Sequence, residues 1–221
     1  FNLKAGLIEG ERDSAGYFIK TLAGGITERA NNQDFKTSTP LIPYQHIRHF
    51  KIAIDNNIKL GKNQLTFNIG YQQNQREELG NPDDINERSL YFDLKTITYT
   101  AQYRLAEMKG WKTSFGINGM QQNNTNKGVE QLIPDYNLFD FGIYAFSQKT
   151  IKKLTVSGGV RFDNRNINAE NLLDGTSIKG DAFKKSFSNV SGSIGLAAQV
   201  TNAVNLKFNI ARGFRAPSIP E

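Results

Sequence analysis

Residues Gln64-Leu65-Thr66-Phe67-Asn68-Ile69-Gly70-Tyr71-Gln72 decide the fold. Leu65, Phe67, Ile69 and Tyr71 fall on one side of an extended chain, and Thr66, Asn68, Gly70 and Gln72 on the other, because successive side chains of a strand point to opposite faces. That is a strand with one apolar and one polar face. The same period of two recurs in Phe50, Ile52, Ile54, Ile58 and Leu60, in Trp111, Phe115 and Ile117, and in Leu154, Val156, Val160 and Phe162. It continues through Val190, Ile194, Leu196, Ala198 and Val200, and again through Val204, Leu206, Phe208 and Ile210. Helical spacing is nowhere sustained, so the chain reads as all-β. In 90–103 the apolar phase runs through Leu90, Phe92 and Leu94 and then shifts to Ile97, Tyr99, Ala101 and Tyr103, which predicts a bulge near Lys95 and Thr96. In 138–148 both phases carry aromatics, and the outward face there is left open.

The connections are of two kinds. Short ones at Gly61-Lys62-Asn63, around 106–109, around 150–152 and at Thr201-Asn202-Ala203 alternate with long polar ones at 73–88, 121–137 and 166–185, all preceded by a longer one from 10 to about 45. A transmembrane barrel has this asymmetry, with short turns on the periplasmic side and long loops outside. Counting a first strand at 2–8, the pattern predicts roughly nine wall strands in an antiparallel up-and-down meander. Three further features favour a membrane: strands near the roughly 9 to 11 residues needed to cross a bilayer, a polar face rich in small residues, and aromatics near strand ends. Those aromatics are Tyr71, Tyr91, Tyr103, Trp111 and Tyr144. The alternative is a soluble β-sandwich binding or adhesion module, whose strands also alternate but pack their apolar side against a second sheet. Two stacked sheets sharing those side chains would exclude the membrane reading.

Composition narrows the function classes. The 221 residues carry a formal net charge of +6 from 27 Lys and Arg against 21 Asp and Glu. The basic residues are scattered singly rather than gathered in a stripe, so no nucleic-acid binding is predicted. With no Cys, neither a disulfide framework nor a thiolate metal site is available. No apolar run approaches the roughly 18 to 20 residues of a membrane helix, whereas barrel strands average a lipid face with a lumen face and accord with the negative mean hydropathy. The opening residues have no leader character, so a signal peptide is expected upstream or not at all, and both ends read as cuts.

Little of the chain reads as chemistry. The two histidines, His46 and His49, stand at odd spacing and so on opposite faces of a strand, where they cannot chelate one metal together. A rim histidine working with carboxylates in a barrel-rim hydrolase is the remaining enzymatic reading, set against a merely solvated side chain. Glu77-Glu78 and Asp83-Asp84 lack the spacing of a calcium loop. Gly158-Gly159 lies inside a strand pattern rather than in a phosphate loop, where it relieves crowding on the wall. Asn123-Asn124-Thr125 matches a glycosylation acceptor only formally. The expectation is no enzyme, no catalytic residue, no metal site and no cofactor.

Several motifs in order carry a family resemblance: Ile42-Pro43-Tyr44-Gln45, Gly70-Tyr71-Gln72-Gln73-Asn74-Gln75-Arg76-Glu77-Glu78, Ile133-Pro134-Asp135-Tyr136 and Gly159-Val160-Arg161-Phe162-Asp163. The closing run from Asn205-Leu206-Lys207-Phe208 through Arg212-Gly213-Phe214-Arg215-Ala216-Pro217-Ser218-Ile219-Pro220-Glu221 completes the set. Together they resemble the barrel of TonB-dependent receptors, particularly those of Bacteroidetes-type bacteria. The resemblance implies a bacterial outer-membrane barrel of about 22 strands filled by an N-terminal plug, importing scarce ligands such as ferric siderophores with energy relayed by TonB. Relative to that pattern the chain lacks a plug, a TonB box and a C-terminal barrel strand, so 1–221 reads as a fragment of the barrel domain. Expected partners are outer-membrane lipid and lipopolysaccharide, a small extracellular ligand, and TonB through the plug. Arg76, Arg88, Arg212 and Arg215 fall in or beside the predicted outer loops, where an arginine fork suits an anionic ligand, with Tyr136 as a flat contact. Each arginine equally suits lipopolysaccharide phosphates or water.

Overall fold

The structure, a computed structural model, describes residues 12–22, 26–34, 36, 43–81 and 83–219. The strand expected at 2–8 lies outside the described residues. The strands are β1 (Ile19–Thr21), β2 (Thr27–Arg29), β3 (Tyr44–Leu60), β4 (Asn63–Leu79), β5 (Leu90–Arg104) and β6 (Trp111–Asn126). They continue as β7 (Tyr136–Ile151), β8 (Leu154–Ala169), β9 (Leu172–Asp174), β10 (Ser177–Gly180), β11 (Phe183–Gln199) and β12 (Asn205–Arg212). One eight-stranded sheet runs β12-β11-β8-β7-β6-β5-β4-β3, with β1-β2 and β9-β10 as separate two-stranded hairpins. All pairs are antiparallel, so the wall is an up-and-down meander with β9-β10 inserted in one link.

Register makes each face continuous across the wall. Asn56, Phe67, Ala101, Ile117, Ile143, Phe162 and Val190 are successive cross-strand partners on one face. Asp55, Asn68, Thr100, Asn118, Gly142, Asp163 and Asn189 form the adjoining row on the other. Among the described residues no second sheet covers the apolar face: Ile194 is 71% exposed and Phe208 63%. A sandwich would bury these side chains, so the β-sandwich alternative fails on this point. The face left open in 138–148 is settled by the same register, with Phe139, Phe141 and Ile143 on the apolar side and Leu138, Tyr144 and Phe146 on the polar side.

Three expectations are corrected. No bulge interrupts β5, because Lys95 and Thr96 keep unbroken register with Gln73 and Gln72 on one side and Asn123 and Gln122 on the other. The apolar phase shifts because the polar face itself turns apolar near the long-link end, where Leu94 packs on a buried cluster. The main wall strands run 15 to 17 residues rather than the length of a bilayer crossing. Their upper parts are held by polar cross-strand pairs that leave no hydropathy alternation, so the long links shrink to 80–89, 127–135 and 170–182. Tyr71, at the centre of β4, is not at a strand end, and neither is Tyr144. The latter lies mid-strand on the polar face, flat over Gly116, where any added Cβ would meet its ring, and Gln102 Nε2 donates to its Oη at 2.9 Å.

The short links all lie at one end, at 61–62, 105–110, 152–153 and 200–204. Gly61 and Lys152 open their two-residue turns with positive φ, of 62° and 54°, which matches the right-handed twist of the flanking strands. At this end Trp111 sits on the apolar face with Lys149 Nζ 5.1 Å from its ring centroid.

Candidate functional site: the long-link end of the wall

Sequence spacing places the charged side chains, and register then pairs them. Counting outward from the turn at Lys152-Lys153 sets Asp140 of β7 opposite Arg165 of β8 on the polar face. The guanidinium grips the carboxylate with both forks, Nε to Oδ1 at 2.7 Å and Nη2 to Oδ2 at 2.6 Å. Its third edge, Nη1, donates to Pro217 O at 3.3 Å. The chain beyond β12 thus leaves the wall and crosses the polar face as a strap. Beside this pair, Arg161 Nε donates to Asp163 at 2.8 Å two residues along the same face. Asn118, Asp140, Arg161, Arg165, Phe214 and Arg215 line a cavity of about 570 Å³ there. Among the described residues no donor reaches Asn118 Oδ1 on its floor.

Toward the long links the polar face closes over Tyr136, Leu138, Ile167 and Ala169, with Phe183, Phe187 and Ile219 of the strap packed against them. Tyr136 Oη reaches out of this cluster to donate to Gln122 Oε1 at 2.8 Å. The links are tied to the wall and to each other. Lys127 N donates to Tyr91 O at 2.9 Å and Glu130 N to Ser89 O at 2.9 Å, while Glu170 N reaches Asp135 O at 2.8 Å.

On the opposite face the same height holds buried carboxylates. Glu77 lies between Arg48 and Arg88, the latter at 3.0 Å, and Asp93 accepts from Lys127 Nζ at 2.6 Å and Gln73 Nε2 at 2.7 Å. The hydrogen bond to Asp93 holds the Lys127 ammonium above the ordinary lysine range. Glu78, across the strand from Glu77, takes Arg76 at 2.7 Å and Gln45 at 2.9 Å.

The structure distributes the five candidate ligand residues. Arg76 is paired with Glu78 on the polar face, and Arg88 with Glu77 on the other. Tyr136 is buried in the apolar cluster, and Arg215 lines the cavity on the polar face. Arg212 partners Gly192 at the top of β12, and its Nη2 donates to Asn189 Oδ1 of the polar-face row at 3.5 Å. His46 and His49 pair with Glu77 and Asn74 on opposite faces of the wall. Asp83 and Asp84 sit in a link closed by Asn81 Oδ1 accepting from Asp83 N at 2.9 Å and Asp84 Oδ1 accepting from Asn86 N at 3.0 Å. Among the described residues no three His, Asp or Glu side chains group as metal ligands. Spacing alone missed the Arg165-Asp140-Pro217 tie and the Arg48-Glu77-Arg88 bridge, although the turn positions, once known, bring the first pair opposite each other.

Comparison with known proteins adds three findings. A family model described as TonB dependent receptor-like, beta-barrel, matches residues 7–221. No curated protein matches the chain by sequence. Among solved structures, the fold is similar to the FrpB iron transporter from Neisseria meningitidis, F5-1 variant in its apoprotein form, with TM-score 0.64 at 14% identity over 81% of this chain and 31% of that one. The F3-3 variant of FrpB gives 0.64 at 14% identity, over 79% and 30%. The ferric-catecholate import receptor Fiu from E. coli K12, in an open form, gives 0.52 at 15% identity, over 76% and 35%. The chain therefore spans about a third of the length of these receptors, and at such identity the likeness is one of fold.

Proposed function

This chain belongs to the TonB-dependent receptor β-barrel family, a family of outer-membrane transporters rather than enzymes, and from that premise we propose that it is wall from a receptor importing ferric siderophores. Its apolar face meets lipid and its polar face the lumen. The observation that carries the proposal is the family match across 7–221 on a wall sheet whose apolar face has no protein cover among the described residues. The ordered motifs suggest a Bacteroidetes-type receptor, and the iron-transporting receptors of like fold make an iron chelate the first cargo to test. Energy would reach the receptor from TonB through a plug, so the wall itself contributes shape, charge and loops. Arg76 and Arg215, on the polar face, are proposed to meet an anionic chelate in the upper lumen, with Arg88 left to its outward bridge with Glu77 and Tyr136 closed in the apolar cluster. Arg212, whose guanidinium reaches Asn189 of the polar-face row, is proposed to join Arg76 and Arg215.

The test is uptake of radioactive iron by cells producing the full receptor, under iron limitation, with a panel of ferric siderophores. Uptake of one chelate that stops when TonB is deleted is the expected result. Uptake of cobalamin, a glycan or a peptide instead, or import that persists without TonB, would overturn the reading. Combined alanine replacement of Arg76, Arg212 and Arg215 should raise the concentration needed for half-maximal uptake by about tenfold or more.

A further inference from the structure

The two ends of the wall carry opposite charge. The short links 61–62, 105–110, 152–153 and 200–204 hold four lysines, Lys62, Lys109, Lys152 and Lys153, against one carboxylate, Glu107. The long links 80–89, 127–135 and 170–182 hold three basic residues against eight carboxylates. All four lysines of the short links are exposed, and among the described residues none of them pairs with a carboxylate; Glu107 lies 3.6 Å from Lys112 instead.

Two of these lysines stand on strained backbone. Lys109 and Lys152 have φ of 51° and 54°, and among the described residues no others except glycines have positive φ. Each is the first central residue of a two-residue turn. Lys109-Gly110 is closed by Met108 N donating to Trp111 O at 3.2 Å and Trp111 N to Met108 O at 3.0 Å, and Lys152-Lys153 joins the paired Ile151 and Leu154. Glycine, asparagine or aspartate takes this conformation at lower cost, as Gly61 does in the turn at 61–62. Turn chemistry therefore does not select lysine at either place, and the strain points to a use for the charge.

That charge is aimed away from hydrocarbon. In the last rows of the strands Leu60, Tyr103, Trp111 and Ile151 take the outward positions, while Lys59, Arg104 and Lys112 lie on the polar face. Lys149, the outward exception at this level, sits over the Trp111 ring. The lysine-bearing turns also lack the Trp, Tyr and Arg that anchor protein interfaces, where lysine is depleted. Separate, hydrated ammonium groups on flexible stems suit a polyanion whose carboxylates meet them from any direction. The turns after β3, β5 and β7 follow one another at two strand spacings, roughly 10 Å, close to the length of one disaccharide.

We propose that the short-turn rim docks on the carboxylate-bearing glycan–peptide mesh of the cell wall beneath the outer membrane. Lys62, Lys109, Lys152 and Lys153 pair with carboxylates on successive repeats of the mesh. The inference goes beyond the import reading and rests on the wall's place in the outer membrane, whatever the cargo.

The test is co-sedimentation of the full-length receptor, held in nanodiscs of zwitterionic phosphatidylcholine, with purified insoluble cell-wall mesh. Binding is expected at low salt and should fall as salt screens the exposed charges. Converting the mesh carboxylates to amides should weaken it by about tenfold or more. Asparagine at 62, 109, 152 and 153 removes the charge yet accepts positive φ, so this variant should bind about tenfold or more weakly while unfolding at the same temperature or higher. Lys184→Gln, at the long-link end, should leave binding unchanged. Equal binding of the amidated mesh, or by the asparagine variant, would overturn the proposal. So would lysine-dependent capture by phosphatidylglycerol vesicles or by a polyglutamate peptide with none by the mesh, which would assign the rim to lipid or to an acidic protein.

Discussion

Below the level of Phe50 on β3 and Val190 on β11, the wall strands present Ile, Leu, Val and Phe outward and small polar side chains inward. Above it the same strands, on the same outward face, present Gln, Lys, Asn and Ser, and their inward face closes over Tyr136, Leu138 and Ile167. The two halves share one backbone ladder and differ in what solvates them. In the lower half hydrocarbon replaces a protein core, so the outward side chains need no partner in the chain. In the upper half water and headgroups surround the wall, and stability has to come from contacts the chain makes with itself. Hence the ion pairs, carboxamide ladders and apolar cluster gather at the long-link end.

Placing a charge in each half tests that contrast most severely. Ile194→Lys in the apolar belt should destabilise the full receptor in bilayers by roughly 2 to 4 kcal/mol, and Ser188→Lys on the same strand by about 1 kcal/mol or less. Urea unfolding from phospholipid vesicles reads both, and equal penalties would break the division. Next in size is Leu138→Ala, which empties part of the upper cluster at a cost of about 2 to 4 kcal/mol. Hydrogen exchange should quicken in 127–135 and 170–182 while the turn at 61–62 stays as it was. If the lower half loosened equally, the cluster would belong to the whole wall rather than to its upper half.

A smaller effect attaches to the strap. Asp140→Asn leaves Arg165 without its carboxylate and should loosen 213–219 by about 1 to 2 kcal/mol, seen as faster proteolysis next to Arg215. The exchange Asp140→Arg with Arg165→Asp should restore much of the protection. The smallest effect is expected outside the wall, where Lys20 of the β1-β2 hairpin bridges Glu28 at 2.8 Å and Asp34 at 2.9 Å. Backbone hydrogen bonding from Asn31, followed by the Lys20 bond, holds the Asp34 carboxyl below the ordinary aspartate range. A depressed carboxyl stabilises the fold above its unfolded value, so the hairpin should keep its order at neutral pH and lose it only as pH falls below the ordinary aspartate range. Amide chemical shifts of 19–34 check this, and loosening that begins near neutral pH would point to another group.

Alternation such as Leu65, Phe67, Ile69, Tyr71 made the lower wall legible, because hydrocarbon selects apolar side chains at every second position. No comparable filter acts on the upper wall. Gln75, Glu77 and Asn164 look the same in a strand as in a loop, so residues 73–79 read as connection although they continue β4. The phase shift at Lys95 likewise suggested a bulge, since a change in which face is buried resembles a slip of register when only the sequence is known.

The residues by themselves determined an antiparallel wall, its two faces and its short-turn end, which follow from side-chain period and local turn chemistry, while the ordered motifs carried the resemblance to the family. Only the tertiary structure decided which charges meet, as Asp140 with Arg165 and Glu77 with Arg48 and Arg88, and that the chain after β12 returns across the lumen face. The physical reason is that alternation is a property of one strand, whereas pairing depends on register between strands distant in the chain.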